Sequence, residues 1–224
     1  AFLISFNIFL INYAQEQRLY SLLIFFSSLS FLYFLKLIEN EIENKNFVIF
    51  VISTTILVFL HLFSLFIIFS YIIYLALLFL KNKIYYKILN RYIFSITLLA
   101  IVFYLPYVMS FSQNLNFNLD VNYSWNKNPD LKFFTNFYFS NFFGSRILGL
   151  IHLLFFICLL YRFRKNLINL EKNFLIFIIV LFSYLIPILF GYIFKPILLP
   201  RYISYVVFFI IILIASFIFK IESK

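Results

Sequence analysis

Residues 47–80 run for 34 positions without one Asp, Glu, Lys or Arg. An α-helix rises 1.5 Å per residue, so a hydrocarbon layer about 30 Å thick takes about 20 residues to cross. The run is too long for one straight crossing and just long enough for two short ones, with His61 near its middle. Two short helices that turn near His61 are therefore predicted. The imidazole is expected at the membrane surface, because an unpaired polar group at the midplane costs on the order of several kcal/mol.

Composition extends this reading to the whole chain. Apolar residues make up 65% of the 224 positions and charged residues 12%, which is more apolar surface than a soluble domain of this length can bury. Further apolar runs lie at 1–14, 19–38, 92–110, 146–161, 174–194 and 202–219. The expected architecture is an all-α polytopic bundle of about eight spans, a single transmembrane domain over residues 1–224. Polar loops are read at 39–46, 81–91, 162–173 and 195–201. The longest polar region, 111–145, contains Asp120, Trp125, Asp130 and Gly144, and its many aromatic residues predict that it lies along the interface. The sequence opens on Ala1 inside an apolar run, without a basic leader or a cleavage site, so it is read as part of a longer protein that lacks the N-terminal portion.

A net charge of +10 suggests nucleic acid in a soluble protein, but here the basic residues gather in short loops between apolar runs. That is the pattern of cytoplasmic loops, and a nucleic-acid partner is set aside. Loops 81–91 and 162–173 hold four Lys or Arg each and the C-terminal end two, against three in the much longer region to residue 146. Both ends of the chain are accordingly expected in the cytoplasm. Alternation then groups Glu16, Arg18, His61, Asp120, Asp130, Lys195 and Arg201 on the extracytoplasmic side. The single cysteine, Cys158, excludes an intramolecular disulfide and is expected to be a buried small apolar residue.

Few patterns of reactive chemistry stand out. No pair of histidines or cysteines has metal-ligand spacing, the three glycines are scattered, and no credible Ser-His-Asp set exists. His152, in mid-span, is expected to hydrogen-bond across helices. Asn122-Tyr123-Ser124 matches a glycan acceptor tripeptide, a pattern common by chance. The stretch Tyr13-Ala-Gln-Glu16-Gln-Arg18-Leu-Tyr20 places a carboxylate and a guanidinium two residues apart between apolar runs. At the end of a span, Arg18 either snorkels to water or offers its planar fork of donors to a phosphate.

Three passages together carry a resemblance. The segment from Ala1 through Asn7, Tyr13, Glu16 and Arg18 to Tyr20 resembles the Tyr-Ser-x-Glu-x-Arg-x-Tyr-like helix end of GT-C type membrane glycosyltransferases, such as the dolichyl-phosphate-mannose protein mannosyltransferases and the bacterial lipopolysaccharide sugar transferases. Val58-Phe-Leu60-His61-Leu-Phe63 is similar to that family's Tyr-Thr-His-Tyr-Phe between two short spans. Leu199-Pro200-Arg201-Tyr202-Ile203 is similar to its Pro-Arg-Tyr before a late span. Leu60 departs from the usual Thr, and Tyr205 and Phe208 stand where prolines commonly follow.

The resemblance implies transfer of a sugar from a polyprenyl-phosphate donor to a lipid, glycan or protein acceptor at the outer face of a bacterial plasma membrane. It implies Arg18 and Arg201 as donor-phosphate ligands, with Glu16, Tyr20, His61 and Tyr202 supporting them. The family's catalytic base is expected upstream of Ala1. No motif supports a divalent metal, and no other cofactor is implied. A transporter or channel is the rival from another class, although no internal repeat is present and the charges stay at the ends of the runs. A polytopic polymerase or ligase of cell-envelope glycans is the other.

Overall fold

The computed structural model describes residues 19–39, 43–83, 85–113, 172–193 and 198–222, together with positions 147, 150, 151, 154, 157, 158 and 161. The described residues are helical throughout apart from short connections, and no strand occurs among them. Helix α1 spans Tyr20–Glu39 and α2 Asn44–Leu60; a 3₁₀ turn, Leu62–Ser64, leads into α3, Leu65–Lys81. Helix α4 is Tyr85–Gln113, α5 is Lys172–Ile193, and a second 3₁₀ turn, Pro200–Ile203, precedes α6, Tyr205–Glu222.

Three segments, Tyr20–Glu39, Leu62–Lys81 and Lys172–Ile193, are long and apolar enough to cross a membrane, and Asn44–Leu60 and Tyr205–Ser216 are apolar but shorter. These helices are apolar on their outer faces as well as their inner ones. In α1, Leu23, Phe31, Phe34 and Leu37 are buried while Leu22, Phe25 and Leu32 stay exposed. A helix apolar all round belongs inside a large core or inside lipid, and these exposed faces have no protein over them. The exposed stripe of Ile147, Leu150, Ile151, Leu154, Ile157 and Tyr161 repeats at helical spacing and is apolar in the same way.

Neighbouring helices close on one another in the order α1, α2, α4, α3, α5, α6 and back to α1. Aromatic rings fill the space between α1, α2, α3 and α4. Phe34 stacks on Tyr71 at 4.4 Å between ring centres and meets Phe50 at 5.4 Å, and Phe50 in turn meets Tyr92 at 4.6 Å. Small hydroxyls sit between these rings and the backbone. The Ser30 Oγ lies 3.0 Å from the Tyr71 hydroxyl and also donates to the Ser27 carbonyl, so a polar atom in the apolar core is satisfied.

The two ends of the bundle differ in charge. At one end Glu39 pairs with Lys172, Arg91 donates to Asn44 Oδ1 at 3.2 Å and lies over the Phe47 ring, and Ser216 donates to Asn173. Among the described side chains, Lys36, Lys45, Lys81, Lys83, Lys87, Arg91 and Lys172 all belong to this end, and Arg201 is the one basic group at the other. The 3₁₀ turns and the starts of α1, α3 and α6 form that other end.

Two expectations need correction. Residues 81–91 are not a loop: only Asn82 and Lys83 are non-helical among those described, and α4 already starts at Tyr85. Ile88 and Tyr92, one turn apart, are buried, which leaves Lys87 and Arg91 on the outer face of the same helix. Basic side chains counted as loop residues are therefore the polar flank of a helix. Cys158, expected to be buried, is exposed, because it sits on the outward apolar stripe that begins at Ile147. In the loop at 39–46, α1 runs to Glu39 and α2 starts at Asn44, and in region 111–145 α4 continues to Gln113; the rest of 111–145 lies outside the described residues.

Candidate functional site

The apolar run breaks at His61. A break inside an apolar bundle leaves backbone groups that must find partners within the protein, and several of those partners are side chains at the break itself. The His61 backbone is extended (φ −162°, ψ 135°), and its N–H closes α2 on the Leu57 carbonyl at 3.1 Å. The imidazole Nδ1 accepts the Phe63 N–H at 3.1 Å, so His61 caps the 3₁₀ turn with its own side chain. Ser64 Oγ reaches the carbonyls of Leu57 (2.8 Å) and His61 (2.7 Å). The Tyr205 hydroxyl, from the start of α6, donates to the Phe63 carbonyl at 3.0 Å.

The second turn is shaped by its sequence. Leu199 is extended, as a residue before proline must be, and Pro200 then starts the 3₁₀ turn at a position where its missing N–H costs nothing. Leu198 and Ile203 are buried on either side, so Arg201 and Tyr202 between them are held at the surface, partly exposed. The Tyr202 ring lies 4.7 Å from the His61 ring and 5.4 Å from the Phe63 ring. The Arg201 guanidinium lies over the Tyr202 ring at 5.4 Å, within cation–π range.

Two passages far apart in the chain thus meet at one end of the bundle. The result is a half-exposed cluster of an imidazole, a phenol and a guanidinium, flanked by the exposed Leu62. Burial lowers the His61 pKa below its ordinary value of 6.5, which favours the neutral ring near neutral pH. With Nδ1 occupied as an acceptor, the proton of the neutral ring is on Nε2, which is left as a donor. The cluster therefore offers N–H donors at its Arg and His edges and the O–H of Tyr202, a chemistry suited to an anionic or oxygen-rich group.

Of the sequence-predicted residues, His61, Arg201 and Tyr202 come together here. Tyr20 opens α1 at the same end and is buried in the core. Glu16 and Arg18 lie outside the described residues, as do Asp120, Asp130, His152, Lys195 and the tripeptide at Asn122. No group of three or more His, Cys, Asp or Glu suited to a metal occurs among the described residues. Sequence reasoning missed Ser64, Ser183 and Tyr205. Ser64 had a signal, since a serine three residues beyond a break is placed to cap it. Tyr205 drew notice only as a departure from a proline pattern, and its partner lies on a different helix. No family model, curated protein or solved structure matches the chain.

Proposed function

We propose that this chain is the donor-binding part of a GT-C type membrane glycosyltransferase. It takes a sugar from a polyprenyl phosphate on the extracytoplasmic side of a bacterial plasma membrane and passes it to a lipid, glycan or protein acceptor. One observation carries the reading: His61 and Tyr202, which belong to two separate passages of the resemblance, are in ring contact with Arg201 beside them. The crowding of basic side chains at the opposite end supports the orientation, because the membrane end rich in Lys and Arg is the cytoplasmic one. About eight spans, with both ends cytoplasmic, complete the proposed topology.

The chemistry follows from the charge that develops. As the bond from sugar to phosphate breaks, negative charge grows on the leaving phosphate, and a guanidinium fixed in a low-dielectric wall stabilises it more than water does. Arg201 is positioned for this role by Pro200 and Ile203, with Arg18 as the second candidate and Glu16 as its holding carboxylate. The acceptor's proton is removed by a carboxylate acting as general base.

The test is turnover of a lipid-linked sugar by the full-length protein that carries Arg18→Lys or Arg201→Lys. Lysine keeps the charge and loses the planar fork. Loss of one such donor is expected to cost about 2.7–4 kcal/mol of transition-state stabilisation, a rate loss of about 100- to 1000-fold. Wild-type turnover in both variants would leave the two arginines as ordinary surface cations and the proposal without its phosphate ligands.

A further inference from the structure

We infer that Tyr205 is a positioning residue for His61, holding it through the Phe63 backbone as a neutral imidazole that offers its Nε2–H to a phosphate oxygen. The phosphate rests on the function proposed above; the positioning does not. Proton accounting gives the direction of the relay. The Tyr205 hydroxyl has one proton, and it goes to the Phe63 carbonyl at 3.0 Å. The contact of 2.9 Å between Tyr205 and Ser183 therefore takes its proton from Ser183. Ser183 also donates to the Ile179 carbonyl at 2.7 Å, so its one proton is shared between that carbonyl, which the α5 helix already supplies with a backbone N–H, and the Tyr205 oxygen.

The order is then Ser183 to Tyr205 to the Phe63 carbonyl, while the Phe63 N–H points the other way, to His61 Nδ1. Phe63 is held from both sides. Its buried ring also meets the His61 ring edge-on at 5.3 Å. A proton placed on Nδ1 would face the Phe63 N–H and break this arrangement, so His61 keeps its proton on Nε2. Tyr205 is fully buried, and its hydroxyl is the only polar atom that a change to phenylalanine removes. Tyr205 therefore links α5 and α6 to the tautomer of a histidine on the α2–α3 break.

This chain has two histidines, so with His152→Gln the one imidazole within residues 1–224 is that of His61. With ¹⁵N-labelled histidine in lipid nanodiscs, the spectrum is expected to show an unprotonated Nδ1 and a protonated Nε2. Should that variant fold poorly, subtraction of the His61→Gln spectrum from that of the wild type isolates the same two signals. Tyr205→Phe, with its melting temperature followed in parallel, is expected to move both signals towards the average of two exchanging tautomers. Polyprenyl phosphate is expected to shift Nε2 more than Nδ1. A protonated Nδ1 in the parent protein, or signals unchanged in a folded Tyr205→Phe protein, would overturn the positioning role. An Nε2 signal unmoved by polyprenyl phosphate would overturn the phosphate assignment. If the tautomer is as stated and no sugar is transferred, the transferase reading fails and the positioning stands.

Discussion

Ser64 has one hydroxyl proton and two carbonyls within reach, those of Leu57 and His61, each of which already accepts one backbone N–H, from His61 and from Ser64 itself. Removing the hydroxyl takes away the second donor that ties the turn to the end of α2, a net hydrogen bond worth about 0.5–1.5 kcal/mol. Ser28 is the contrasting case, since it is partly exposed and its Oγ reaches the Phe25 carbonyl inside a continuous helix. Ser64→Ala is expected to lower stability in detergent unfolding by about 0.5–1.5 kcal/mol, and Ser28→Ala by less than about 0.5 kcal/mol. Equal losses in the two variants would mean that the break does not depend on its cap. His61 was legible from sequence because a lone imidazole in an uncharged run must find solvent or a partner. Its partner's partner, Tyr205, was not, since nothing local in the sequence links two residues so far apart.

At the scale of elements, the break between α2 and α3 was legible and the start of α4 was not. Length alone required the 34-residue run to turn. At residues 85–91 the charges of Lys87 and Arg91 hid a helical face whose buried members are Ile88 and Tyr92. Lipid gives little hydrophobic drive between helices, so the helices depend on close packing of their shared faces. Phe34 sits within that packing, fully buried and in ring contact with Phe50, Tyr71 and Tyr74 from two other helices. Phe34→Ala is expected to destabilise the bundle by about 3–5 kcal/mol. Phe25→Ala, on the exposed face of the same helix, is expected to change little, as read from melting in nanodiscs. A small effect at Phe34 would show that the ring cluster is loosely packed.

The described residues sort their chemistry by end: basic side chains crowd one end, while His61, Tyr202 and Arg201 meet at the other. The all-helical class could be read from composition, whereas the meeting of the two passages needed the closed order of helices. The proposed function requires the second end to face outwards, where a lipid-linked sugar donor is used. Single cysteines at Leu62, exposed beside His61, and at Lys83, in the turn before α4, read the two ends directly once Cys158 is replaced by serine. In intact cells, a membrane-impermeant thiol reagent should label Leu62→Cys, and Lys83→Cys only after permeabilisation. Labelling of Lys83→Cys with protection of Leu62→Cys would place the cluster in the cytoplasm and contradict the account.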